Sequence, residues 1–323
     1  MKAMLINKYG SPNVFEQKEI PLPSIKDHEI LVKVYGSSVN PVDCAIRKGE
    51  LKSFRRIKLP SILGVDVSGI VEKVGKNVTQ FCGGERVYAF LGMQSNGAYA
   101  EFVAIPESYA ATIPFNLNIV HAGVVPVVGL TAYQAFTEYA PIKQGMKVLI
   151  NGACGGVGTF AIQIAKAMGA EVTAVCSGSK QGMAKKLGAD IVVNYHKENI
   201  LDSHKEYDVI LNCVRGSQIA KWKHLLKKGG KQVLIAANPF QMPLVRLSNL
   251  FSSRKSILFW VKADGKTLKG LSALIAAQKV KPIISKTFAL EALNRAHRLY
   301  ETESLAGKIA IVMGDIHSIL RMN

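Results

Sequence analysis

The sequence predicts an α/β protein in which a doubly wound parallel sheet is inserted into a smaller, mostly-β domain, and three observations carry that reading. From about Val120 short apolar runs alternate with helical stretches, the pattern of successive βαβ units. Before that point the chain is rich in short β-like runs divided by Pro and Gly turns. Residues 281–323 return to a β, helix, β order that is short for an independent domain, so they are expected to rejoin the first. A chain of 323 residues, 48% of them hydrophobic, can bury a sizeable core, and roughly 100 to 200 residues per domain gives two domains. The boundaries follow: residues 1–119 with 281–323 form one domain, and residues 120–280 the other.

Taken in order, Ile30–Tyr35, Val67–Val74 and Tyr99–Ile105 read as strands of the first domain. In the second the strands are Val148–Ile150, Val172–Cys176, Ile191–Val193, Val209–Leu211 and Val233–Ala236. Between the first two of these, Val157, Phe160, Ala161, Ile164, Ala165 and Met168 recur at helical spacing and mark one buried face, with Gly169 placed to end the helix. A loop through Asn238, Pro239 and Pro243 leads to a strand-like Ser256–Val261, then to a helix around Leu268–Gln278. The closing strand is Lys308–Met313. Repeats and low-complexity tracts are absent.

Composition excludes several classes. No apolar run reaches the ~18 residues needed to span a bilayer, and Met1–Gly10 carries Lys8 and Tyr9 where a signal peptide needs an apolar core, so a cytoplasmic protein with no membrane partner is expected. Cys44, Cys82, Cys154, Cys176 and Cys213 are far apart, odd in number and without a CxxC pair, which argues against a disulfide framework and a structural zinc. The net charge of +18 is concentrated: residues 119–280 hold 21 basic and 8 acidic side chains, against 14 and 11 before them and 6 and 4 after. Such an excess suits a phosphate-rich ligand, although Lys221, Lys223, Lys227 and Lys228 read equally as a solvated helix face.

The strongest chemical signal is Asn151-Gly152-Ala153-Cys154-Gly155-Gly156-Val157-Gly158, between a strand and a helix. Glycines there permit tight turning and close approach of backbone to a pyrophosphate, and the helix N-terminus supplies N–H donors and positive potential. Gly155, Gly156 and Val157, at the opening of the helix, are the expected phosphate contacts. An acidic residue about 20 positions further on would hold the ribose 2′-hydroxyl of NAD, but the next strand ends in Cys176-Ser177-Gly178-Ser179-Lys180. Ser177 and Lys180 offer a hydroxyl and a cation with no carboxylate to repel a 2′-phosphate, so NADPH is the expected cofactor, with Tyr195 near its phosphate or adenine. Cys154 lies at an electropositive helix start, where a thiol becomes a reactive thiolate unless it is buried as an inert filler.

These features occur together with Val39-Asn40-Pro41-Val42-Asp43, Gly64-Val65-Asp66-Val67-Ser68-Gly69, Gly84-Glu85-Arg86-Val87, Gly97-Ala98-Tyr99-Ala100-Glu101, Gly129-Leu130-Thr131-Ala132 and Gly307-Lys308. In order and spacing they resemble, over nearly the whole chain, the medium-chain dehydrogenase/reductase superfamily in its quinone oxidoreductase and alkenal/one reductase branch. The resemblance implies a GroES-like catalytic domain, an inserted Rossmann domain and a cofactor lying in the cleft between them. It implies that Asn40 stands beside the nicotinamide, and that Thr131 and Lys308 are cofactor contacts; residue by residue, Asn40 also reads as a turn-forming residue before Pro41 and Thr131 as a helix opener after Pro126. Asp43 and Asp66 read as structural.

Zinc-dependent relatives place Cys where this chain has Asn40, His-Glu where it has Val65-Asp66, and a four-Cys lobe that is missing here, whereas a catalytic zinc needs about three protein ligands. The expectation is therefore hydride transfer without metal to the β-carbon of an α,β-unsaturated carbonyl or to a quinone. Lys52–Lys58 and Asn238–Ser253 are expected walls of the substrate cleft. The alternative is a non-catalytic nucleotide- or RNA-binding protein, since some relatives of the branch are lens structural proteins or bind RNA; nucleic acid is disfavoured because no aromatic residues interleave the basic ones. A homodimer is expected from Ser256–Val261, an apolar edge strand that is a liability unless paired.

Overall fold

The computed structural model describes residues 1–53, 56–92, 97–214, 219–235 and 242–314. In chain order the first elements are β1 (Lys2–Ile6), β2 (Phe15–Glu19), β3 (Glu29–Ser38), α1 (Pro41–Lys48), β4 (Ser61–Ile62), β5 (Asp66–Val74), β6 (Arg86–Phe90), β7 (Phe102–Pro106), β8 (Ala110–Thr112), α2 (Ile119–Ala122) and α3 (Pro126–Gln134). The middle of the chain forms β9 (Lys147–Asn151), α4 (Gly156–Ala167), β10 (Glu171–Cys176), α5 (Gln181–Lys186), β11 (Ile191–Asn194), β12 (Tyr207–Asn212), β13 (Leu226–Leu234), α6 (Met242–Leu250) and β14 (Lys255–Leu258). The rest is α7 (Gly265–Ala276), β15 (Ile284–Ala289), α8 (Leu293–Thr302) and β16 (Lys308–Val312). The chain divides into two units. One holds Met1–Leu130, Lys262–Ala276 and the stretch from Ile284 on; the other holds Thr131–Val261 and Ala277–Ile283.

In the first unit a seven-stranded sheet runs β15-β16-β3-β5-β6-β8, with β7 also on β3, beside a small sheet β2-β1-β4. Ile30, Val32, Val67, Val87, Ile105, Ile309 and Ile311 are sealed in its core. The expected strand from Tyr99 begins only at Phe102; Tyr99 and Ala100 instead join β1, through Met4 N–H to the Tyr99 carbonyl at 2.9 Å and a bridge between Ala3 and Ala100.

The second unit is a doubly wound parallel sheet in the order β11-β10-β9-β12-β13-β14. Its central strands are covered on both faces, which is why Val148–Ile150 and Val172–Cys176 are continuous apolar runs rather than alternating ones. Phe160, Ala161, Ile164 and Ala165 of α4 are fully buried, and Gly169, at φ 81°, turns the chain out of that helix as a glycine can. The chain winds outward from β9 in both directions, so the order reverses between β9 and β12. Two expected details differ. The edge strand stops at Leu258, leaving Phe259–Val261 outside it, and Lys221 and Lys223 lie on a 3₁₀ turn (Ile219–Leu225) whereas Lys227 and Lys228 lie on β13, so they are not one helix face. Among the described residues no helix is long and apolar enough to cross a membrane.

Candidate functional site

In an open parallel sheet, ligands bind beyond the carboxyl ends of the strands at the point where the order reverses. Here that edge is built from Asn151 (β9), Cys176 (β10), Asn194 (β11) and Asn212 (β12). Gly152, at φ 76°, turns the chain away from β9, and Gly155 caps α4 without a side chain, which leaves the first-turn N–H groups, Gly156 and Val157 among them, free of a side-chain cap. A Cβ on Gly158 would lie 2.3 Å from the Gly152 carbonyl oxygen and 2.6 Å from Ala153, so only glycine lets the loop close on the helix. Beyond β10, Ser177 and Ser179 place their hydroxyls 3.5 Å apart, and Lys180 closes the 3₁₀ turn Gly178–Lys180. Tyr195 follows β11, 53% exposed and tilted against His196.

At the reversal, Asn151 Nδ2 donates to Asn212 Oδ1 at 3.0 Å, and Val214 N–H donates to the same oxygen at 3.2 Å. Two donors fix the orientation of the Asn212 amide, and its Nδ2, on a side chain only 1% exposed, is left with no partner. A buried donor without an acceptor costs about 1 to 3 kcal/mol. Cys154 is buried, its Sγ is directed at the Lys180 carbonyl 3.5 Å away, and burial pushes its thiol up to about 12, the neighbouring Cys176 adding to the rise. Of the two readings that the sequence offers for Cys154, burial favours the inert filler over the thiolate.

The first unit holds a second polar cluster. Asn40 caps α1, with its backbone N–H donating to Asp43 Oδ2 at 2.9 Å. Its amide is 1% exposed and engaged at both ends: Nδ2 donates to Asp66 Oδ2 (2.9 Å) and Ser38 Oγ (3.2 Å), and Oδ1 accepts from Lys308 Nζ at 2.5 Å. Asp66, fully buried, also accepts from Ser38 Oγ (2.6 Å) and from Val127 N–H (2.7 Å), with the Lys308 ammonium 3.9 Å away. Burial pushes the Asp66 carboxyl up and the Lys308 ammonium down, while each resists the other's neutralisation. Asp43 is pushed up to about 7, by burial first and by Asp66 second.

Beside this cluster, Tyr99 OH donates to the Ser38 carbonyl at 3.1 Å, so His297 Nε2, 3.2 Å from that phenol, carries the ring proton. His297 Nδ1 then accepts from the Cys44 thiol at 3.4 Å. The ring is neutral: burial, helped by Arg47, holds its pKa down at about 3.

The structure thus gathers Gly155, Gly156, Val157, Ser177, Lys180 and Tyr195 at one sheet edge, and Asn40 with Lys308 in one buried cluster. Thr131 lies inside α3, which Pro126 opens, so it is not the helix opener. Phe54 and Arg55 of the basic stretch, and residues 238–241 of the second expected wall, lie outside the described residues. Asn194 and Asn212 were missed, and Asn151 was read only as the start of the glycine cluster, although a readable signal existed: three of the six parallel strands of this sheet end on Asn. His297 and Cys44 are 253 positions apart, and nothing in their local sequence joins them.

Residues 26–115 match the family described as alcohol dehydrogenase GroES-like domain, and residues 187–311 the one described as zinc-binding dehydrogenase. The chain belongs to the medium-chain dehydrogenase/reductase superfamily, in the quinone oxidoreductase and alkenal/one reductase branch, a family of oxidoreductases. It is 32% identical over 322 residues to a chloroplast envelope quinone oxidoreductase homolog of Arabidopsis thaliana, covering 96% of this chain and 98% of that protein. It is 31% identical over 324 residues to the NADPH-dependent alkenal/one oxidoreductase of the same plant, covering 96% of this chain and 79% of that protein. The solved quinone oxidoreductase of Coxiella burnetii superposes with a TM-score of 0.87 at 30% identity, covering 97% of this chain and 99% of that one.

Proposed function

We propose that this chain is a reductase that takes NADPH and passes hydride to a quinone or an α,β-unsaturated carbonyl without zinc. The observation that carries the reading is the edge of the six-stranded sheet, where uncapped N–H groups of α4 and the unpartnered Nδ2 of Asn212 stand on either side of Gly152. Orphaned donors beside a loop that only glycine can form fit a phosphate-bearing dinucleotide. Gly155, Gly156 and Val157 would hold the pyrophosphate, and Ser177 and Lys180 a 2′-phosphate, with Tyr195 alongside. When bound, NADPH supplies the hydride. The name of the Arabidopsis alkenal/one oxidoreductase supports both the cofactor and the substrate class.

Zinc independence rests on the residues where a metal would sit. Among the described residues no three His, Cys, Asp or Glu side chains are grouped to hold a metal ion, and Asp66 is already engaged with Ser38, Asn40 and Val127. Asn40, locked between Asp66 and Lys308, acts by holding the β3–α1 turn in place rather than by presenting a free amide. The proposed homodimer has a narrow basis on β14, because the Asn249 amide accepts from Ser256 N–H (2.9 Å) and donates to the Ser256 carbonyl (2.7 Å), occupying those outward groups and leaving the edge open only from Leu258.

The test is titration of the purified protein with NADPH and NADH, followed by oxidation assays on a quinone, an alkenal and an alkenone. Lys180→Ala is expected to weaken NADPH by about 1.5 to 3 kcal/mol and to spare NADH. Equal affinity of the wild-type protein for both cofactors would defeat the cofactor reading, and activity lost on exhaustive chelation would defeat the zinc-free one.

A further inference from the structure

Nine large hydrophobic side chains are exposed among the described residues, and four of them, Leu247, Leu250, Phe251 and Trp260, fall within one short stretch of the second unit. Leu247 and Leu250 lie one turn apart on α6, and Phe251 follows at its end; they are 56%, 75% and 86% exposed, whereas Val245 is buried. Cations surround them. Lys223 Nζ donates to the carbonyl of Ser248 (3.3 Å) and to its Oγ (3.0 Å), and Lys255 Nζ donates to the Asn249 carbonyl at 2.5 Å, so two ammonium groups gather at the last turn of α6. Arg246 is exposed beside Leu247. Arg254 pairs with Glu206, but Lys223, Arg246 and Lys255 form no ion pair among the described residues. Burial first and Lys255 second hold the Lys223 ammonium below its ordinary range.

We propose that this face of α6 docks the protein on an anionic lipid surface, with Leu247, Leu250 and Phe251 entering the headgroup region and Lys223, Arg246 and Lys255 meeting lipid phosphates. Charge selects this occupant. Three cations without an acid partner among the described residues stand beside the apolar side chains, the pairing of charge and apolar surface that an anionic bilayer answers. Leu247, Leu250 and Phe251 are each more than half exposed, as side chains that enter a bilayer surface must be. The inference departs from the expectation of no membrane partner, since surface contact needs no spanning helix, and it does not rest on the proposed reaction.

The experiment is cosedimentation of the full chain with vesicles of phosphatidylcholine alone or mixed with phosphatidylglycerol, at low and high salt. Binding is expected only to the mixed vesicles and to fall as salt rises. Arg246→Gln or Lys255→Gln should each weaken it about fivefold, and Leu250→Ser with Phe251→Ser about tenfold or more. These side chains are on the surface, so an unchanged circular dichroism spectrum is expected as the control for folding. No binding, equal binding to both vesicles, or variants that bind like wild type would overturn the proposal. So would a Leu250→Ser, Phe251→Ser protein that changes oligomeric state in light scattering and leaves vesicle binding intact, since the face would then belong to a second copy.

Discussion

Asp66 and Lys308 show how burial decides the behaviour of single residues. Each is nearly sealed from water, so burial pushes the Asp66 carboxyl up and the Lys308 ammonium down, and each shift is opposed by the other group and by the dipoles around it. Breaking one partner of a buried pair costs about 3 to 5 kcal/mol, more than the pair itself contributes. Asp66→Asn and Lys308→Met are therefore each expected to lower stability by that order, while the double substitution costs less than their sum, by chemical denaturation followed by circular dichroism. Additive losses would show that the two are not coupled. Cys154 gives a second test: with a thiol pushed up to about 12 it should alkylate far more slowly than the exposed Cys82, with or without NADPH. Fast, NADPH-protected labelling would restore the thiolate reading. The sequence placed Cys154 at a helix start correctly, but whether a thiol there faces solvent depends on Lys180 and Cys176, brought in by the next strand.

At the scale of elements, the parallel sheet was legible because each strand is an apolar run and each helix an apolar stripe, patterns that depend only on neighbours in the chain. The glycine loop was legible for the same reason. Gly158→Ala is expected to cost about 1 to 3 kcal/mol of stability and to abolish cofactor titration, because its Cβ would meet backbone that cannot yield. Unchanged affinity for NADPH would show that the loop closes differently. What local pattern could not show was how edges are finished. Tyr99 and Ala100 join β1 rather than their own strand, and Asn249 reaches across to occupy Ser256. Both depend on which segments become neighbours in space. The same limit hid the His297–Cys44 contact, whereas Asn40, Asp43 and Asp66 were visible as motif residues without the hydrogen bonds that join them.

For the whole molecule, pH is the lever on stability. His297 is held neutral with its pKa down at about 3, against about 6.5 when unfolded. The unfolded chain therefore binds the extra proton first, so stability is full above about pH 6.5 and falls as pH drops through about 3, by roughly 5 kcal/mol in all. Asp43, pushed up to about 7, acts in the opposite sense, so the His297 contribution is best read as a difference between proteins. The thermal midpoint of wild type should fall relative to that of His297→Gln between about pH 7 and about pH 4; a constant gap would show that His297 is not the group. The topology also dictates an order of events during synthesis. The six-stranded sheet is complete once Leu258 has emerged, but β16 lies between β15 and β3, inside the other sheet, and brings Lys308 to Asp66. At roughly 5 to 20 residues per second the ribosome takes several seconds to travel from one point to the other. Through that interval a folded parallel-sheet unit is tethered to a half-built β sheet with an open seam and a buried acid lacking its cation. A nascent chain stalled before Lys308 should therefore be the form of this protein that chaperones hold and proteases cut.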